Sequence, residues 1–437
     1  MGKKFMTFWL SQTISQLGSE MTSFALIIWS YQQTNSAMSV SLMAFCFYLP
    51  FILVSIFAGN FIDKNSKKKI MLLSDLIATI CSVLILILNF NGSLYIYHIY
   101  AYNMINGLMN AFQSPAETVA IGMMVPSDKY AKASGYSSFS ENLLTIVTPI
   151  LSTTLFSFMG LDYIIFFDLV TFIFAFFVLL YFIKLPENIK SEKTGILDGC
   201  KEGLSFLNKN RGLLYIILGM ALLNFFSRLT YQNILSPMLL ARTNKNNEVL
   251  GIVTSILGIG GVLGGMLVAA KKNGFKNNLK SIFFSAAFSF LFGDLLMGLG
   301  QNVYLWSIAA LAASIPIPFV FAGQRTIMYN TIPKDLQGRV FAVRNAIQYC
   351  TIPVGILLGG FLADFVFEPF MQNSKSVLAE SLRNLVGTGS GSGMAVMFLC
   401  TGVLGFISSI LLYINRNVKK LNDKDSSSII KQEVQVR

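Results

Sequence analysis

Hydrophobic residues in this chain come in long unbroken runs with short polar intervals. Twelve runs stand out, at about 6–30, 38–62, 70–89, 94–114, 134–158, 161–183, 213–238, 249–270, 280–300, 303–323, 341–366 and 393–415. Most reach the ~20 apolar residues that a helix needs to cross a bilayer. They lack the ~10-residue alternation of a membrane barrel, so helices are expected and strands are not. The predicted fold class is an all-α membrane protein with twelve transmembrane helices, here numbered segments 1 to 12.

The polar intervals are sorted by charge. Beginning with the N-terminal tail, every second interval is basic, and together these hold 28 of the 33 Lys and Arg residues. Short loops rich in Lys and Arg stay in the cytoplasm. The expected topology is therefore a multi-pass cell-membrane protein with both termini cytoplasmic and no cleavable signal peptide. Composition agrees: mean hydropathy is +0.61, with 54% apolar and 12% charged residues, against ~25% charged in soluble domains. The net charge of +12 is spread over seven loops and tails on one face. It fits contact with anionic lipid rather than a groove for nucleic acid.

The two halves read as copies. Ser19-Glu20-Met21-Thr22 in segment 1 matches Ser227-Arg228-Leu229-Thr230 in segment 7 at an offset of 208. Pro126-Ser127-Asp128 matches Pro333-Lys334-Asp335 at 207. The expected organisation is a six-helix bundle at 1–183, a cytoplasmic linker at 184–212, a second six-helix bundle at 213–415 and a polar tail at 416–437. Transporters built from such parallel repeats bind substrate near the mid-membrane interface of the halves. Within the linker, Leu197, Cys200, Leu204 and Leu207 recur at helical spacing, which predicts a short amphipathic helix at the inner membrane surface.

No catalytic spacing is present, and an enzyme is not expected. The five cysteines form no CxxC pair, and His98 is the one histidine. No metal, disulfide framework or cofactor is predicted. His98 reads as an interfacial, hydrogen-bonding residue at the outer start of segment 4.

Ionisable residues inside spans are costly and mark cavities, partners or ion paths. Glu20, about 22 Å along segment 1 at ~1.5 Å per residue, is the leading candidate. Its repeat mate Arg228 carries the opposite charge, and the two are hypothesised to face one another. In a low-dielectric site a carboxylate without its partner favours the protonated form, which would make a proton–substrate exchange site. A pair that only locks the halves together is an equal alternative. Glu141 and Asp294 are further candidates for the pathway. Asn103, Asn106 and Asn110 share one face of segment 4, as cavity points or as packing groups between helices. Asp75 is expected to pair with the basic loop after segment 2, Arg325 and Arg344 to serve the loop after segment 10, and Glu117, Asp168 and Asp364 to lie near span ends.

The loop Gly59-Asn60-Phe61-Ile62-Asp63-Lys64-Asn65-Ser66-Lys67-Lys68-Lys69 resembles the signature loop of the major facilitator superfamily. Lys64 and Lys67 replace the usual Arg residues and Ser66 the usual second Gly. Gln113-Ser114-Pro115-Ala116, Ala131-Lys132-Ala133-Ser134-Gly135-Tyr136, Gly338-Arg339-Val340-Phe341 and Thr34-Asn35-Ser36-Ala37-Met38 are similar to the branch that includes macrolide-efflux and siderophore-exporting proteins. Val147-Thr148-Pro149 departs from it, lacking the Gly-Pro that many family antiporters carry. The resemblance implies two pseudo-symmetric six-helix bundles, the major facilitator fold. It implies a monomeric, proton-driven exporter of a moderately hydrophobic, macrolide-like small molecule, working by alternating access in membrane lipid. Gly59, Asp63, Lys64, Lys67, Asp335 and Arg339 would form its cytoplasmic gate. Alternatives are a siderophore or peptide-metabolite exporter and, from another class, a membrane sensor or lipid scramblase.

Overall fold

The twelve hydrophobic runs become long helices because lipid leaves the backbone no partner but itself. The computed structural model describes residues 2–126, 129–183, 196–271, 277–333 and 336–420, and among them there is no strand. The first six runs form α1 (Lys3–Thr34), α2 (Ala37–Lys64), α3 (Lys67–Phe90), α4 (Ile96–Met124), α5 (Tyr130–Met159) and α6 (Leu161–Phe177), the last continued by a π-helical turn at Val178–Phe182. The linker carries α7 (Ile196–Lys209), and segment 7 is α8 (Arg211–Leu229) followed by α9 (Leu235–Arg242). Then come α10 (Asn247–Ala269) and α11 (Asn278–Phe288), which runs through a π turn at Ser289–Asp294 into α12 (Leu295–Leu299). Segment 10 is α13 (Val303–Ser314) plus α14 (Ile317–Thr331). Segment 11 is α15 (Gln337–Phe361), a π turn at Leu362–Phe367 and α16 (Glu368–Asn373). Outer helix α17 (Val377–Val386) precedes α18 (Ser392–Ile414).

Ten of these helical stretches are long and apolar enough to cross a membrane, and each buries only 22–50% of its most apolar window. The remaining apolar surface suits lipid. α1 and α4 fall short of that apolar standard, because Gln, Ser, Asn and Glu interrupt their hydrophobic runs.

The chain divides into two compact units. Unit 1 is Met1–Glu192 with Leu239–Ser255, and unit 2 is Lys193–Met238 with Ile256–Arg437, so the division falls inside α10. In unit 1, Met21, Leu26, Ile85, Ile99 and Ile164 form one buried cluster, and Phe8, Ile62, Met71 and Leu179 another. Residues 239–255 join it through polar contacts: Lys245 Nζ donates to the Gln32 carbonyl at 3.0 Å, and Gln32 Nε2 to Asn247 Oδ1 at 3.2 Å. In unit 2 the core gathers Ile216, Ile217, Leu279, Phe283, Met328 and Val340.

Three elements differ from the sequence expectation. Segment 7 is broken at Thr230–Ile234 rather than continuous. The break is held against α15, where Asn233 Nδ2 donates to the Ile356 carbonyl at 2.7 Å. A Cβ on Gly359 would stand 2.7 Å from the Leu229 carbonyl oxygen, so only glycine admits this approach. Segment 11 extends outward to Asn373. The outer loop contains α17, anchored by Arg383 Nε donating to the Met371 carbonyl at 2.8 Å. The expected linker helix is present as α7. It packs against α15 of its own unit with Leu207 buried, while Leu204 is exposed.

Candidate functional site

Glu20 lies in the middle of α1 and is exposed, with Gln16 one turn earlier as its side-chain hydrogen-bond neighbour. Among the described residues no cation of unit 1 pairs with it. The turn that carries it is fixed from behind. Gly18 lets α6 come so close that a Cβ there would stand 2.8 Å from Asp168 Cα. Ser19 Oγ then donates to Asp168 Oδ1 at 2.9 Å. Asp168 is buried, at 4% exposure. The expectation that it lies near a solvated span end is wrong: the charge on α6 faces the interior because α1 supplies hydroxyls there. Ser82 and Tyr102, 3.4 Å apart, line the same interior.

A second polar group in unit 1 joins the first half of α3, the last third of α4 and the first half of α5. Gln113 Nε2 of α4 donates to Asp75 Oδ1 of α3. Asp75 thus bonds an amide of the next helix rather than the basic loop expected to hold it. Glu117, one turn beyond Gln113, is electrostatically coupled to Asp75 and to Glu141 of α5. Glu141 is exposed. Three carboxylates therefore share this region, although the described residues offer no metal-ligating group of three.

The asparagines of segment 4 are differently disposed from a polar seam. Asn103 Nδ2 donates to the Ile99 carbonyl and Asn106 Nδ2 to the Tyr102 carbonyl, each at 2.9 Å. Both therefore bond their own helix one turn back, while Asn110 is exposed. His98 accepts from the Tyr95 backbone N–H at 3.1 Å and caps the start of α4.

In unit 2, Asp294 closes the π turn ahead of α12 and is 1% exposed. Thr401 of α18 donates to its Oδ2 at 2.7 Å, and the Thr401 and Thr230 hydroxyls lie 3.5 Å apart. Asp294 thus sits behind the break of segment 7. Arg228, half-buried on α8, leans its Cβ on Gly355 of α15, where a glycine Cβ would stand 2.9 Å away. Farther inward, Arg344 Nη2 of α15 donates to Gln324 Oε1 of α14 at 3.2 Å.

Of the residues expected to form the gate, Gly59 and Asp63 fall within α2 and Lys64 is its last residue, while Asp335 lies outside the described residues. Lys67 is buried at the start of α3. Its neighbour Lys68, which sequence reasoning took only as a topology signal, donates Nζ to the carbonyls of Leu180 and Ile183, each at 2.8 Å. It satisfies carbonyls that the end of α6 leaves open. Arg339 pairs with Glu202 of α7. Glu202 stands on the polar face of the linker helix, and that face was the signal that could have found it.

The sequence profile described as Major Facilitator Superfamily matches residues 8–349. Macrolide efflux protein A of Streptococcus pyogenes is 26% identical over 370 residues, covering 83% of this chain and 89% of that protein. Macrolide efflux protein A of Enterococcus faecalis is 26% identical over 331 residues, covering 74% and 100%. The crystal structure of a bacterial homologue of the iron transporter ferroportin in an inward-facing state superposes with a TM-score of 0.69. Its identity is 13%, and 94% of this chain and 99% of that chain are covered.

Proposed function

Because this chain belongs to the major facilitator superfamily, and so is a multi-pass membrane transporter and not an enzyme, we propose that it is a proton-driven exporter of a moderately hydrophobic, macrolide-like small molecule. The observation that carries the coupling is Glu20, a carboxylate at mid-span without a cation partner in its own unit. Such a group is expensive in lipid unless it serves a path. The macrolide-efflux relatives support the substrate class. In this reading Glu20 carries the proton, and Arg228, Glu141, Asp294, Asn103, Asn106 and Asn110 belong to the substrate and proton pathway. Gly59, Asp63, Lys64, Lys67, Asp335 and Arg339 form the cytoplasmic gate. The bundles at 1–183 and 213–415 alternate access as a monomer, with both termini in the cytoplasm.

The test is accumulation of radiolabelled macrolides in cells that express the protein, with and without a protonophore. Lower accumulation that the protonophore abolishes supports the reading. Unchanged proton-coupled export by Glu20→Gln would remove Glu20 as the carrier. A siderophore or peptide-metabolite exporter is the second reading, favoured by Arg228, a cation within α8.

A further inference from the structure

Arg344 stands about two turns into α15 from its cytoplasmic start, and Gln348 follows one turn later on the same face. Across from them, α14 presents Gln324 and Arg325. Gln324 Oε1 accepts from Arg344 Nη2 at 3.2 Å, which ties the two helices together and uses the acceptor of that amide. Arg344 Nη1 donates to Asn345 Oδ1 at 3.5 Å, and three donors remain. Gln324 Nε2, Gln348 Nε2 and Arg344 Nε are all buried without a hydrogen-bond partner among the described residues. Gln324 and Gln348 are 0% and 7% exposed. Arg325, exposed on α14, places a second positive charge near Arg344.

Buried polar groups are rarely left unsatisfied, and such clusters call for an explanation. Two unsatisfied amide N–H groups, the unsatisfied Nε–H of Arg344 itself and the charge of Arg325 share one requirement, which is an acceptor with negative charge. A water molecule would accept at most two of these bonds and would leave the mutual repulsion of Arg325 and Arg344 untouched. An oxyanion answers both. Arginine forks match carboxylate and phosphate oxygens, and bonds to such anions are the short, strong ones.

We propose that Arg344, Gln324, Gln348 and Arg325 form an oxyanion-binding site in the cytoplasmic third of unit 2. Its ligand is a phosphate group, drawn either from a lipid headgroup of the inner leaflet or from a free anion. The site is independent of the transported molecule, so failure of the macrolide reading leaves it standing.

The experiment measures thermal unfolding of the full-length protein purified in a neutral detergent. Inorganic phosphate is titrated at constant ionic strength. In a parallel series phosphatidylglycerol is added to the micelles, with phosphatidylcholine as its control. A ligand that binds only the folded state raises the midpoint in proportion to its occupancy. The expected result is a saturable rise for the wild type, unchanged in the exposed-lysine control Lys280→Gln and absent in Arg344→Gln. Gln348→Leu keeps both charges and serves should Arg344→Gln fail to fold. Loss of one charge-assisted bond is expected to weaken its binding about tenfold. A rise with inorganic phosphate supports a free anion as ligand. A rise with phosphatidylglycerol alone supports the lipid headgroup. No rise with either, or the same affinity in wild type and Gln348→Leu, overturns the site.

Discussion

The two units solve one folding problem with opposite charges. On α3, α4 and α5, unit 1 gathers Asp75, Glu117 and Glu141. On the corresponding helices α14 and α15, unit 2 carries Arg325 and Arg344. Glu117 and Arg325 are 208 positions apart, the offset that also relates Glu20 to Arg228. At positions related by this offset, unit 1 carries acid where unit 2 carries base. Each unit also buries one aspartate against hydroxyls. In unit 1 the acid is Asp168 on α6 with Ser19 of α1. In unit 2 it is Asp294, ahead of α12, with Thr401 of α18. The same chemistry has moved to a different helix, so the cluster and not the residue position corresponds between the copies.

Substitutions can break this comparison, and the largest effect is expected where backbones touch. Gly359→Leu would drive a side chain into the Leu229 carbonyl and the Asn233 amide, and should cost about 3 kcal/mol or more. Gly265→Leu on α10, where a Cβ meets nothing within 4 Å, should be near neutral. Yield of monodisperse protein and its unfolding midpoint compare them; equal losses would mean the break of segment 7 needs no close support.

Next come the buried aspartates. Asp294→Ala takes the shortest bond from the Thr401 hydroxyl and leaves it the Met397 and Phe398 carbonyls at 3.2 Å; it should destabilise by about 1 kcal/mol, with Asp294→Asn costing less. Asp168→Ala and Asp168→Asn should follow the same order in unit 1. If the Asn variant proves as damaging as Ala at one site and mild at the other, the two clusters are not equivalent. Lys68→Met removes two bonds to open carbonyls of α6, and should cost about 1–2 kcal/mol by chemical or thermal unfolding.

The smallest expected effect is Glu202→Gln. The Arg339–Glu202 pair is about half exposed on both sides, so screening leaves it worth under about 0.5 kcal/mol. A clear rise in transport rate with unchanged unfolding midpoint would show that α7 restrains α15 through this pair.

The run lengths and the apolar composition were enough for the helical class and the membrane setting, because lipid imposes those constraints along the chain itself. The amphipathic spacing of Leu204 and Leu207 likewise announced α7. Other properties depend on which residues meet across helices. Asp168 looked like a span-end acid until α6 turned it onto Ser19, and Asp75 looked like a partner of the basic loop until Gln113 reached it. Lys68 stands in the basic loop with no sign in the sequence of the carbonyls it meets, and Gln324 and Gln348 carry no signal along the chain. In each case the deciding partner lies 20 or more positions away or on another helix, and spacing along one helix carries no record of it. Periodicity tells which face is apolar; only packing decides which donor meets which acceptor, and where donors are left waiting for one.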